Sequence, residues 1–141
     1  MRRQSREIAL QILFQTEYAP QITFDQALSL LDDKKAYENT DDKTNAIIKY
    51  ADDIITGVHA KKEIIDQKIQ EASRHWKIER MGGVDRNILR LAVFEMFHAK
   101  EMIEPKIAIN EAIEIAKTFG SQESASFVNG LLDQIVRNAR G

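Results

Sequence analysis

Between Ile88 and Phe97 the chain is apolar in almost every direction a helix can point: Ile88, Leu89, Leu91, Ala92, Val93, Phe94, Met96 and Phe97. A helix apolar nearly all round belongs in the middle of a bundle. Strand signals are absent, with no sustained alternation and no Asn-Gly or Asp-Gly hairpin turn. The expectation is therefore an all-α fold of about seven helices, read from helical periodicity along the chain. A chain of 141 residues fits one domain over 1–141 and can bury a core without staples. No internal repeat is visible.

Other helices arrange themselves around this one. The first is expected from about Arg3 to Tyr18, with Ile8, Ala9, Ile12 and Leu13 on one side and Glu7, Gln11 and Gln15 on another. Pro20 ends it. Thr23-Phe24-Asp25-Gln26 has the form of a capping box and opens a short helix through Leu31. Asp32 to Asp42 mixes acids and lysines and is expected as a long mobile loop. A helix from about Lys43 to Val58 should bury Ile47, Tyr50, Ala51, Ile54 and Val58. Another, from about Lys61 to Ser73, should bury Ile65, Ile69 and Ala72. Trp76 comes next and is expected as a core plug rather than a ligand platform. Met81-Gly82-Gly83 breaks the chain, and Asp85 falls in the first turn of the next helix, where a carboxylate suits the dipole.

Pro105 to Asp133 reads as helix, break, helix. Ile109, Ala112, Ile113 and Ala116 recur at helical spacing, with Asn110, Glu111, Glu114 and Lys117 opposite. Pro105 fits just inside the start. Gly120 fits just past the end as a left-handed residue, and Ser121 suits the next N-cap. Val128, Leu131, Leu132 and Ile135 form the second apolar stripe, with Asn129 beside it as a partly buried, hydrogen-bonded side chain. Gly130 inside it implies a close approach by another backbone or a ligand.

Catalytic and metal chemistry finds little support. The chain has no Cys, which excludes disulfides, thiolate zinc sites and Cys nucleophiles and is compatible with a reducing cytoplasm. His59, His75 and His98 are scattered, without HExxH spacing. Glu111 and Glu114 are neighbours that can share a cation, but a solvated or helix-pairing face is the favoured reading. Ser121, Ser124 and Ser126 lack an elbow motif and a nearby His-Asp pair. No phosphate loop or dinucleotide fingerprint is present. Met1-Arg2-Arg3 begins like a signal n-region, but Glu7, Gln11 and Gln15 interrupt the apolar run that a signal would need next. No apolar run is long enough to cross a membrane. The expectation is no enzyme, no cofactor, no metal and no membrane partner.

Net charge is −2, so nucleic-acid binding requires a local patch. Arg2, Arg3 and Arg6 are spaced to share one helical surface, and arginine matches phosphate and stacks on bases. Cations at a helix N-terminus oppose its dipole. Their threefold presence leaves two readings level: a surface for RNA or another polyanion, and a solvated helix start. Phe127 can stack on an unpaired base or lie in the core.

Three segments, RRQSREIALQILF, VDRNILRLAVFE and AINEAIEIAK with FVNGLLD, resemble in order the NusB family of bacterial transcription antitermination factors. The resemblance implies two three-helix subbundles packed at a steep angle. It also implies binding of single-stranded boxA RNA together with NusE, a small-subunit ribosomal protein. Such a complex helps RNA polymerase read through termination signals, notably in ribosomal RNA operons. Matched to the family, Arg2, Arg3, Arg6 and Phe14 become RNA contacts, as do Gly120, Ser121, Gln122, Ser124 and Phe127. Glu79 and Asp85 match the acids that face NusE. Some members form homodimers that mask the RNA surface. Relatives often carry Tyr where this chain has Phe14 and Phe94, and the Gly82-Gly83 pair is looser than the family leads one to expect. The rival readings are a helical protein-interaction module without RNA binding and the NusB-like domain fused to RNA cytosine methyltransferases, for which no catalytic domain or cofactor loop is present.

Overall fold

A computed structural model describes residues 2–31 and 41–141. Among these, every regular element is helical: α1 (Arg2–Tyr18), α2 (Phe24–Ser29), α3 (Asp42–Ala60), α4 (Lys62–Ala72), a 3₁₀ turn (Ile78–Arg80), α5 (Gly83–Phe97), α6 (Pro105–Phe119) and α7 (Ser124–Arg140). The chain divides into two compact units, Met1–Thr56 and Gly57–Gly141. Most of the polar stretch expected as a loop, residues 32–40, lies outside the described residues, and Asp42 already opens α3.

In the first unit α1 packs on α2. Ile8, Ala9, Leu10, Ile12 and Leu13 are buried. The expected capping box is present: Thr23 Oγ1 accepts the Gln26 N–H at 3.1 Å, and Gln26 Oε1 accepts the Thr23 N–H at 2.9 Å. Ser5 Oγ donates to the Ile47 carbonyl at 2.8 Å and ties α1 to α3. The Asp41 carboxylate accepts the Thr44 N–H at 2.7 Å, satisfying one of the open donors at the start of α3.

The second unit is organised around α5, which packs on α4, α6 and α7. Ile88, Leu89, Leu91, Ala92, Val93 and Met96 are buried, as the all-round apolar pattern requires. The same helix buries Arg86, Asn87, Arg90 and Glu95, and buried charges need partners. Arg90 forks onto Asp66, with Nε to Oδ1 at 2.8 Å and Nη2 to Oδ2 at 3.0 Å. It also donates to Asn87 Oδ1, and Asn87 Nδ2 donates to the Gly83 carbonyl at 2.8 Å.

Pro105 stands in the first turn of α6, as expected. The buried side of α6 is Ala108, Ala112, Ile115 and Ala116, while Ile109 and Ile113 are only half-buried. On α7 the stripe of Val128, Leu131, Leu132 and Ile135 is buried.

Several expectations are corrected. Gly130 has open space where a Cβ would go, so nothing approaches it closely. The crowded helical glycine is Gly57, where a Cβ would run into the Phe94 ring. Asn129 is exposed rather than bonded beside the stripe. Gly120 is extended, with φ −93° and ψ −172°, not left-handed. Trp76 is 59% exposed and plugs no core.

Candidate nucleic-acid and partner interface

At the start of α1, Arg2 and Arg3 are exposed. The Arg2 guanidinium lies 4.2 Å from the Tyr50 ring centroid, and its Nη1 donates to the Tyr50 hydroxyl at 3.1 Å. Stacking on an aromatic face restricts the plane of the guanidinium. Arg6 departs from the expected shared surface: it is only 4% exposed. An arginine at that depth supports the helix it belongs to more than it meets a ligand. Phe14 is 37% exposed and lies 5.0 Å from the Tyr18 ring, tilted by 53°. The i, i+4 spacing makes this pair. Along the axis the arginines and the aromatic pair are about 18 Å apart, at 1.5 Å per residue. Sequence reasoning passed over Tyr18, although the Phe14–Tyr18 spacing would have shown it. Tyr50, distant in sequence from Arg2, left no such trace.

The α6–α7 break carries the second set. Its backbone is shaped by Ser124, which is 1% exposed. Ser124 Oγ accepts the Ser121 N–H at 2.9 Å and lies 3.2 Å from Ser121 Oγ. A Cβ on Gly120 would collide with this same Ser124 side chain and stand 2.8 Å from the Ala116 carbonyl. Gly120 is thus required by crowding, not by a left-handed backbone. Ser121 is not the N-cap of α7; Glu123 holds that place without a side-chain cap bond. Ser121 and Gln122 are exposed and Phe127 is half-buried. The turn therefore presents Ser121 and Gln122 outward over a buried serine.

Glu79 lies exposed on the 3₁₀ turn, and Asp85 is half-buried in the first turn of α5. The segment that carries Glu79 is clamped from two helices. Arg86 Nη1 donates to the carbonyls of Met81 at 2.7 Å and Ile78 at 3.2 Å. Gln70 Oε1 accepts the Ile78 N–H at 2.9 Å, and Gln70 Nε2 donates to the Trp76 carbonyl at 3.1 Å. Burial, then the nearby Arg90, holds the Arg86 guanidinium below its ordinary pKa. Gly82 does not use its glycine freedom: it has φ −58° and open space at the Cβ position.

Among the described residues no group of three His, Asp or Glu is placed to hold a metal ion. His98 lies 3.1 Å from Lys68 Nζ through its Nε2, and burial, followed by Lys68 and Lys61, depresses its imidazole pKa. His59 is depressed by burial, then by Lys62 and Arg90. No helix among the described residues is long and apolar enough to cross a membrane.

These features define an all-α protein whose first helix exposes two arginines at its start and an aromatic pair near its end. The profile of the NusB family matches residues 3–137. The transcription antitermination protein NusB of Bdellovibrio bacteriovorus is 55% identical over 134 residues, covering 95% of this chain and 93% of the relative. The solved NusB of T. maritima is 35% identical with a TM-score of 0.77, over 97% of this chain and 91% of that one. The solved NusB–NusE complex with dsRNA shares the fold at 23% identity and a TM-score of 0.77, over 97% and 96% of the two chains. The chain belongs to the NusB family.

Proposed function

We propose that the protein is a non-enzymatic antitermination adaptor of the cytoplasm, acting as one domain over residues 1–141. It binds single-stranded boxA RNA together with NusE and lets RNA polymerase pass termination signals, notably in ribosomal RNA operons. The observation that carries this most directly is the set of exposed side chains along α1. Arg2, stacked on Tyr50, and Arg3 offer forked donors to phosphate, and Phe14 with Tyr18 offers rings to unpaired bases. Gly120, Ser121, Gln122 and Phe127 supply a second set of RNA contacts. Arg6 and Ser124 are buried beneath them, and Ser124 holds the Ser121 N–H in place. Glu79 and Asp85 face NusE, a role suited to carboxylates fixed on a clamped turn and a helix start.

A mobility shift with boxA RNA, with and without NusE, tests this. The Arg2→Ala/Arg3→Ala pair should weaken binding by roughly 1–3 kcal/mol per charge-assisted bond lost. It should also flatten the salt dependence by roughly 0.7 for each phosphate contact removed. Wild-type affinity and salt slope in that variant would remove the RNA role from α1.

A further inference from the structure

The segment between α4 and α5 holds the only tryptophan of the chain, and it is 59% exposed. Burying a Trp side chain is among the larger apolar gains a small protein can make, so an exposed one on an ordered segment calls for a purpose. The backbone beneath it is held firmly. The Trp76 carbonyl accepts from Ser73 Oγ at 2.7 Å and from Gln70 Nε2 at 3.1 Å. Two residues on, the Ile78 N–H donates to Gln70 Oε1 at 2.9 Å, and Arg86 grips the Ile78 and Met81 carbonyls beyond it. A ring mounted on such a backbone loses little conformational freedom when something stacks on it.

Its neighbours have a sign. Arg74, His75, Lys77 and Arg80 are all exposed, and the only carboxylate between Arg74 and Arg80 is Glu79. Some surface cations are matched with acids, as Lys49 is with Asp53, Lys117 with Glu114 and Arg137 with Asp133. Among the described residues, Arg74, Lys77 and Arg80 are held in no such side-chain pair. In a chain of net charge −2 this is a local positive field around an outward-facing ring. Aromatic platforms flanked by unmatched cations are the arrangement that holds unpaired nucleotides, with stacking for the base and positive charge for the phosphate. Trp and Arg also anchor protein interfaces, so NusE capture is the measurement that separates a protein contact from an RNA platform.

We infer that Trp76, with Arg74, Lys77 and Arg80, is a stacking platform for single-stranded RNA, separate in sequence from the α1 and α6–α7 contacts. The inference rests on the RNA-binding function proposed above and adds a site to it. A bound nucleotide places its base on the indole and its phosphates against the flanking cations. Glu79 stays available to the protein partner, so the segment joins RNA and protein recognition on one clamped loop.

The ring is its own reporter, since its emission is the only tryptophan signal the chain has. The full chain is titrated with a short unstructured RNA carrying boxA and, separately, with a blunt RNA duplex. Binding is read in parallel by mobility shift, and NusE capture is measured on the same variants. The single strand should quench the emission and the duplex should not. Trp76→Ala should weaken single-strand binding about 5- to 150-fold, the range of one lost base stack. Trp76→Phe should restore most of that loss and Trp76→Leu should not; this pair decides the matter if the alanine variant fails to fold. A normal shift with unquenched emission and unaltered Trp76→Ala affinity overturns the platform and leaves RNA binding by α1 standing. Loss of NusE capture alone makes the loop a protein contact and also overturns it. No shift with the wild-type chain, with or without NusE, removes both proposals.

Discussion

Arg86 should decide how the partner-facing turn keeps its shape. Replacing it by Met keeps an unbranched, buried side chain but removes the donor to the Met81 and Ile78 carbonyls. The two bonds are not equal. The Ile78 carbonyl also accepts the Met81 N–H at 3.2 Å, so it keeps a partner when Arg86 is lost. The Met81 carbonyl loses its 2.7 Å charge-assisted bond. One buried acceptor left short of its donor costs about 1–3 kcal/mol, and relief of the buried charge offsets part of the loss from the second bond. The net expectation is a destabilisation of about 1–3 kcal/mol. At about 3–4 °C per kcal/mol for a domain of this size, the melting temperature should fall by roughly 3–12 °C. Far-UV circular dichroism measures the melt. Trp76 emission, from the same segment, should shift at temperatures well below it. NusE affinity should drop although Glu79 and Asp85 are untouched. A variant that melts with the wild type and keeps its Trp76 emission would show that the clamp does not hold the turn.

Four further outcomes are expected. Reversing both acids, Glu79→Lys with Asp85→Lys, should abolish NusE capture while circular dichroism stays helical; retained capture would move the partner surface elsewhere. Gly57→Ala should destabilise by about 0–2 kcal/mol, from overpacking against Phe94 of about 1–3 kcal/mol less the helical gain of about 1 kcal/mol. In a Phe94→Ala background the same change should turn stabilising, and a thermal double-mutant cycle without that sign change refutes the contact. Phe127→Ala should weaken RNA binding by about 1–3 kcal/mol with little loss of stability, whereas Asn129→Leu, on an exposed position, should barely move the melt. For pH, the depressed His98 imidazole means that the unfolded chain takes up its proton first, so stability is full above about pH 6.5 and is lost as pH falls below it. His98→Gln keeps an acceptor for Lys68 and should lessen the fall in melting temperature between neutral and mildly acid pH; an unchanged slope would exclude His98.

The helical framework was legible where one chemical rule acted alone. The all-round apolar run of α5 demanded a central place and has one, packed on α4, α6 and α7. Thr23 and Gln26 form the capping box their spacing specifies. Legibility failed where a distant element competed with a local rule. Gly120 has the position of a left-handed cap, but its backbone is extended and its missing Cβ makes room for Ser124. Gly130 carries the sequence mark of a close approach, yet the approach is at Gly57, where the Phe94 ring fills the space. Trp76 looks like core by composition. Its ring is exposed, on a backbone held by bonds from Gln70 and Ser73 and, at Met81, from Arg86.

The same competition explains why the candidate contact residues separate into two kinds. Spacing put Arg2, Arg3 and Arg6 on equal terms, because periodicity reports direction around a helix and not depth. Depth is set by what lies against the helix. Arg2 meets Tyr50 and stays at the surface, while Arg6 is buried. Serines 121 and 124 divide likewise: one is exposed, and the other spends its hydroxyl holding the backbone of the first. A surface that must present donors to phosphate in fixed positions needs both kinds, since an exposed side chain on a loose backbone loses in ordering what it gains in contact. Alanine at Arg6 or Ser124 should therefore lower the melting temperature, while alanine at Arg2 or Ser121 should lower RNA affinity at an unchanged melt. If Arg6→Ala reduced RNA affinity and salt slope with no change in the melt, burial would not be what distinguishes the two kinds, and Arg6 would belong with the contacts.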